Sequence, residues 1–284
     1  MKTSSEIFKP MLAHKFDDHQ DSVQFPIYSQ PKLDGIRCIT TRAGMFSRNG
    51  NEIISAPHIL ESLKSFFASN PSAILDGELY ADKLSDDFNR ICSLVKRTKP
   101  TAEDLRESAS TIEYWIYDAP VIGRLTEADP FACRFNLIKS MLCGISKVRI
   151  VATEKVLNAE SLDTLFASYL EQGYEGQMVR RNECYENKRS RSLLKRKEFM
   201  DDEFTIIEVT EGLGKRTGTA GFMSFVSRSG REFNSNIKGN FQYLKAILED
   251  KKKLIGKMAT VKFFNLTPNG VPRFPYVTAI RDYE

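Results

Sequence analysis

Apolar residues along the chain keep two different rhythms, and the switches between them outline most of the elements. From 27 to 42 hydrophobic and polar positions follow a strand-like pattern, broken at Asp34-Gly35. A turn at Gly44 leads into a short strand ending near Ser47. From Pro57 to Phe67 the spacing is helical, with proline in the first turn, where its missing N–H costs nothing. Ala73–Tyr80 and Ile112–Asp118 read as strands, 130–143 and 159–172 as helices, and 175–180 as another strand. A basic stretch follows from Arg180 to Lys197, ending in a strand along which Lys195 and Lys197 share a face and Arg196 points away.

This order mixes strands and helices without the regular alternation of a doubly wound fold, so the class expected is α+β. After Met200-Asp201-Asp202 the character changes to short strands punctuated by glycine at 212, 214, 218, 221 and 230. A helix around 241–253 precedes strands at 257–265 and 274–281, a pattern that suits a small β-barrel of the oligonucleotide-binding kind. Two domains are therefore expected, 1–201 and 202–284.

Length agrees, because 284 residues exceed one ordinary domain of about 100–150. With 41% hydrophobic and 27% charged residues the composition is that of a soluble globular protein. There is no run of 18 apolar residues and no apolar core of signal-peptide length at the start, so a cytoplasmic protein with no membrane partner is expected. Charge is uneven: residues 1–201 hold 28 Lys+Arg against 28 Asp+Glu, whereas 202–284 hold 13 against 9. The whole excess of +4 thus lies in the second part, which favours a polyanionic partner there. Five cysteines without a Cys-x-x-Cys pair, and only three histidines, argue against zinc or a disulfide framework; the cysteines are expected reduced and mostly packed.

The chemistry starts at Lys32-Leu33-Asp34-Gly35-Ile36-Arg37. A lysine that attacks phosphorus must first lose its proton, and nearby positive charge promotes that loss. Glycine permits close backbone approach, and arginine offers a forked donor for phosphate. Alone, Lys-x-Asp-Gly is a four-position pattern that a surface turn also satisfies. It is followed, in order, by Ser47-Arg48-Asn49-Gly50, Leu75-Asp76-Gly77-Glu78-Leu79, Tyr114-Trp115-Ile116-Tyr117-Asp118, Glu175-Gly176-Gln177-Met178-Val179-Arg180 and Leu193-Leu194-Lys195-Arg196-Lys197.

These six ordered clusters resemble the nucleotidyl motifs of the ATP-dependent DNA ligases, within the covalent nucleotidyltransferases. The resemblance covers nearly the whole chain. It implies an adenylating nucleotidyltransferase domain of mixed, largely antiparallel sheets with helices, followed by an OB-fold barrel. It also implies a monomer that seals 5′-phosphate/3′-hydroxyl nicks in duplex DNA, with ATP as AMP donor and Mg2+ or Mn2+ as the ion. Lys32 becomes the nucleophile and Asp34 a further catalytic group. Glu175 is expected at the metal, and Glu78 at the ribose or metal. Tyr117 would stack on adenine and Gln30, two before Lys32, would meet its amino group. Lys195 and Lys197 would contact the ATP phosphates, with Arg37 also in that site.

Arg37 and Arg48 are the arginines expected at the nick's 5′-phosphate. In the second domain, Lys215 and Arg216 lie in a glycine-rich basic turn expected on DNA. Pro272-Arg273-Phe274-Pro275-Tyr276 through Arg281-Asp282 resembles the family's last motif, with Arg281 at the pyrophosphate and Arg273 and Asp282 as weaker members. The same superfamily leaves an RNA ligase or an mRNA-capping guanylyltransferase as alternatives. A non-catalytic nucleic-acid-binding barrel protein is the alternative from another class.

Overall fold

The computed structural model describes residues 8–85, 87–263, 266–267 and 269–281. It divides into two compact units, one ending at Arg196 and the next beginning at Lys197.

The first unit contains β1 (Leu12–Lys15), β2 (Ile27–Lys32), β3 (Ile36–Thr41), β4 (Gly44–Ser47), α1 (Pro57–Ser69) and β5 (Ile74–Tyr80). There follow α2 (Phe88–Val95), α3 (Ala102–Thr111), β6 (Glu113–Val121), α4 (Phe131–Leu142), β7 (Val148–Ile150) and β8 (Glu154–Val156). The unit ends with α5 (Ala159–Glu171), β9 (Gly176–Arg180) and β10 (Arg189–Lys197), whose last residue already belongs to the next unit. One sheet has the strand order β1-β10-β9-β2-β8 and the other β4-β3-β5-β6-β7. Both are mainly antiparallel; the pairs β1–β10 and β6–β7 are parallel.

The larger core lies on the second of these sheets under the helices. In α1 the buried Ile59, Leu63, Phe66 and Phe67 recur at helical spacing and meet buried strand residues such as Leu75, Leu79, Tyr114 and Ile116. Local caps settle where helices begin. Thr101 and Asp104 form a reciprocal capping box on α3, and Asn158 accepts from the Ser161 N–H at the start of α5. A smaller core of Ile27, Val156, Leu162, Val179 and Leu194 backs the first sheet.

The second unit is a closed barrel of five strands in the order β11-β12-β13-β15-β14. Its elements are β11 (Met200–Glu211), β12 (Ala220–Val226), β13 (Glu232–Ile237), α6 (Phe241–Glu249), α7 (Lys251–Leu254), β14 (Met258–Phe263) and β15 (Tyr276–Ile280). Strict alternation along β13 sends Phe233, Ser235 and Ile237 inward, and Phe204, Phe225 and Phe233 meet in the barrel core.

Three differences from the sequence reading have physical causes. The division expected between Asp201 and Asp202 falls inside β11, because Met200 and Asp201 already pair with Phe263 and Lys262 of the barrel. The helix expected over 241–253 is two, since Asp250 caps the first and the chain turns there. The cysteines are all free, as expected, but Cys133, Cys143 and Cys184 are exposed and only Cys38 is fully buried. Cys133 lies on α4, Cys143 just after it and Cys184 in a loop, where no core demands them. No helix among the described residues is long and apolar enough to cross a membrane.

Candidate active site

Lys32 is the last residue of β2, and the next three residues carry the chain to β3 in the other sheet. The passage is tight. A Cβ on Gly35 would lie 2.6 Å from the Leu79 carbonyl oxygen and 2.8 Å from Glu78 Cγ, so only glycine lets this crossing pass over β5. The close approach brings Glu78 beside the nucleophile candidate. On the other side β9 pairs with β2, placing Gly176 opposite Lys32. The Glu175 N–H donates to the Lys32 carbonyl at 3.0 Å, and the Glu175 carboxylate forms an ion pair with the Lys32 ammonium.

The electrostatics follow from burial. Loss of water pushes the Glu78 carboxyl from 4.5 up to about 7, with Asp76 and Asp34 pushing the same way against Lys32 and Arg37. Lys195 is lowered from its ordinary value, first by burial and then by the positive charges of Lys32, Arg189, Lys15 and Arg48. Lys195 therefore stands near Lys32, opposite Lys15 in the β1–β10 pair. Arg196 faces away, paired with Asp163 at 2.6 Å and lying over the rings of Phe16 and Phe166. Lys197 ends β10.

Tyr117 lies on β6 with its hydroxyl donating to Glu78 Oε2 at 3.4 Å. Arg37 and Arg180 approach its ring at 5.7 and 5.3 Å from the centroid. Tyr114 behaves as core: it is buried, and its hydroxyl meets the Cys38 and Leu75 carbonyls at 3.0 Å each. Half-buried Trp115 packs edge-on against Tyr80, as wall.

Two expected ligand contacts are already committed within the protein. Arg37 grips Asp76 with two parallel hydrogen bonds, Nε to Oδ1 at 2.9 Å and Nη2 to Oδ2 at 2.5 Å, and gives Nη1 to the Met11 carbonyl at 2.6 Å. Burial disfavours its charge, but Asp76 outweighs that and holds the guanidinium well above its ordinary value. Arg37 thus shapes the site, and little of its fork is left for a phosphate. Gln30 is 1% exposed; its amide donates to the Tyr117 carbonyl at 3.1 Å and Thr153 Oγ1 at 2.8 Å and accepts from Arg180 Nε at 2.6 Å. With both hydrogens taken, a base edge could meet only the remaining lone pair of Oε1.

Arg48 is exposed on the turn after β4, where Gly50 takes a positive φ of 80° and Ser47 Oγ accepts from the Asn51 N–H at 3.1 Å. It lines a groove of about 880 Å³ together with Gly35, Arg37, Glu78, Lys96 and Arg97. Arg97 is tethered to the Ser93 carbonyl and to Asp104, whereas Arg48 and Lys96 have no carboxylate partner among the described residues. Lys96 and Arg97 were not among the expected site residues. Their signal in the sequence is a basic run directly after the apolar face of α2.

In the barrel unit, Lys215 is exposed and Arg216 donates to the Ala220 carbonyl at 2.9 Å. Arg281 donates to Thr260 Oγ1 at 2.8 Å and pairs with Glu203 at 3.2 Å. Arg273 lies near the Phe274 ring, and Asp282 falls outside the described residues.

Lys32 thus pairs with one carboxylate and lies within the electrostatic reach of a second, Glu78, and of a second lysine, Lys195, with the Tyr117 hydroxyl on Glu78. A family model described as the ATP dependent DNA ligase domain matches residues 10–197, which hold every residue placed round Lys32. The chain belongs to this family. Among its relatives, the DNA ligase of Enterobacteria phage T6 is 24% identical, aligned over 87% of this chain and 62% of the phage protein. This chain thus spans less than two thirds of that relative's length. The DNA ligase of Haemophilus influenzae is also 24% identical, with 93% of this chain and 89% of the other covered. A solved Lig E DNA ligase, from work on DNA binding with a minimal scaffold, superposes with a TM-score of 0.77 at 25% identity, covering 96% of this chain and 99% of that one.

Within this ligase family the first unit is the nucleotidyltransferase fold and the closed barrel is the OB-fold, as the resemblance implied.

Proposed function

We propose that the chain is an ATP-dependent DNA ligase that seals nicks in duplex DNA through an AMP adduct on Lys32. One observation carries the reading: the Lys32 side chain pairs with Glu175, and Glu78 and Lys195 lie near enough to feel its charge. Family membership and the named relatives support the substrate assignment.

In the first step the Lys32 amine attacks the α-phosphorus of ATP; the N–P bond forms as the bond to pyrophosphate breaks. Lys195, whose charge is disfavoured by burial and by Lys32 itself, stabilises negative charge gathering on the phosphates. Tyr117 offers a ring for the adenine. In the second step an oxygen of the nick's 5′-phosphate attacks the AMP phosphorus and releases the Lys32 nitrogen. In the third the 3′-hydroxyl attacks the 5′-phosphorus and AMP leaves. Arg48 and Lys96, open on the groove, meet the phosphates of the DNA. Roles for Lys197 on the triphosphate, Lys215 and Arg216 on DNA, and Arg281 on pyrophosphate rest on the resemblance alone.

A hard divalent ion fits the site in part. Burial pushes the Glu78 carboxyl up to about 7, which an ion of opposite charge would relieve, and Glu175 is paired with the same Lys32 whose charge Glu78 feels. No group of three or more His, Cys, Asp or Glu side chains among the described residues is arranged to hold a metal ion by itself, so the two glutamates would hold magnesium or manganese jointly with phosphate oxygens and water. Such an ion supplies charge neutralisation on the phosphates.

The test is incubation of purified protein with ATP and magnesium, followed by mass analysis and a sealing assay on a 5′-phosphorylated nick. The expected result is an AMP adduct on Lys32 and a joined strand, with neither from Lys32→Ala. An adduct on another residue, transfer of GMP in preference to AMP, or joining of single-stranded RNA but not of the nick would overturn the reading.

A further inference from the structure

We infer that Arg180 is a positioning residue for ATP, holding the Tyr117 wall of the nucleotide site in place through Asp118 and Gln30. The inference rests on the function proposed above and adds a residue to its site.

Four groups form a closed polar ring between the two sheets. Arg180, at the end of β9, donates through Nη1 to Asp118 Oδ2 at 3.1 Å and through Nε to Gln30 Oε1 at 2.6 Å. Gln30, on β2, donates to the Tyr117 carbonyl at 3.1 Å, and Asp118 is the residue after Tyr117. Every side chain in the ring is buried: Gln30 is 1% exposed, Arg180 4% and Asp118 0%. The guanidinium also lies between two rings, 5.3 Å from the Tyr117 centroid and 5.2 Å from that of Phe131. Tyr117 is thus fixed at its backbone through Gln30 and at its ring through Arg180.

Packing needs alone do not account for this arginine. Asp118 is already matched by Arg134, which makes two parallel hydrogen bonds to it at 3.0 Å each, and its Oδ1 also accepts from the Ala119 N–H at 2.8 Å. A second buried cation on the same carboxylate leaves one positive charge in excess, which costs desolvation energy that a structural pair would avoid. What Arg180 reaches and Arg134 does not is the Gln30 amide and the Tyr117 ring; the second ring over which Arg134 lies, besides Phe131, is Tyr185. The difference between two arginines that share one carboxylate therefore isolates the positioning role.

The experiment compares Arg180→Lys with Arg134→Lys in the full chain, measuring the rate of AMP-adduct formation on Lys32 against ATP concentration and the thermal midpoint of each. A lysine keeps the charge but cannot fork to Gln30 and Asp118 together. For Arg180→Lys, KM for ATP is expected to rise about tenfold with kcat within about threefold, while Arg134→Lys lowers the midpoint and leaves KM within about twofold. An unchanged KM in Arg180→Lys, or an equal rise in both variants, overturns the inference. Should Arg180→Lys not fold, Gln30→Met cuts the ring while sparing the Arg180–Asp118 pair, and the same rise in KM is expected; no rise overturns it. A wild-type protein that forms no adduct would instead sink the proposed function, so the two failures are distinguishable.

Discussion

Lys32 and Glu175 are joined twice, once along the backbone and once through their side chains. The Glu175 N–H donates to the Lys32 carbonyl at 3.0 Å, and that bond places the Glu175 carboxylate where it pairs with the Lys32 ammonium. Glu175 is 5% exposed, so its charge has little water to lean on and depends on this partner. An ion-paired lysine is an ammonium ion and cannot attack phosphorus. In the proposed reaction Lys32 must therefore leave this pair before an adduct forms.

Replacing the carboxylate without changing its shape tests that arrangement. Glu175→Gln is expected to lower the rate of adduct formation about 100-fold, because it removes half of the proposed ion site, a loss that outweighs the release of Lys32 from its ion pair. The rate is read from transfer of labelled AMP to the protein, with folding checked by circular dichroism. A rate within threefold of wild type would remove Glu175 from the reaction, by the usual arithmetic of about 1.4 kcal/mol per factor of ten.

Arg37 and Asp76 make a stability prediction. Asp76 is fully buried, and its carboxylate is satisfied by the two bonds from Arg37 and a third from the Tyr185 hydroxyl at 2.7 Å. Arg37→Ala strands that charge and is expected to cost about 3 kcal/mol, the range seen when one partner of a buried pair is removed. Denaturant unfolding measures it. A cost below about 1 kcal/mol would mean that the pair is solvated and that Arg37 is free to serve a phosphate after all.

The groove beside the nucleophile predicts a salt dependence. Lys96 lines it without a carboxylate partner among the described residues, so a phosphate held there would release a counterion. Lys96→Ala is expected to weaken binding of a nicked duplex by several-fold and to reduce the slope of log affinity against log salt by about 1. The loss should fall on the DNA step, not on AMP-adduct formation. An unchanged slope would place the duplex elsewhere.

His58 sets one acid-side term in stability. Burial lowers it from its ordinary value, with Lys147 adding to the effect and the Ile112 carbonyl, 3.0 Å from Nε2, opposing it. Because the folded value lies below the unfolded one, this stability is present above about pH 6.5 and is lost as pH falls through the folded value. His58→Gln should therefore narrow the difference in thermal midpoint between about pH 7.5 and about pH 5.5. An unchanged difference would show that His58 titrates alike in both states.

The sequence by itself determined the order of most strands and helices, since period-two and helical spacing are local properties that survive reading along one line. It also marked the residues round Lys32 as a set, because Gly35, Glu78, Glu175 and Lys195 sit in distinct, ordered clusters. Hydrophobic spacing does not mark α3, which carries only a cap signal in Thr101 and Asp104, nor the short β7 and β8, three residues each.

Only the tertiary structure decided which of the marked residues are free to act. Gln30 and Arg37 carry the right functional groups, yet the folded chain has already engaged most of their hydrogen-bonding capacity with Arg180, Tyr117, Thr153 and Asp76. Arg180, by contrast, is drawn into the site from the end of a strand in the opposite sheet to Asp118. The reason is physical. A hydrogen-bonding group has few places to fill, and whether they are filled depends on neighbours 39 to 150 residues away, which spacing along the chain does not encode.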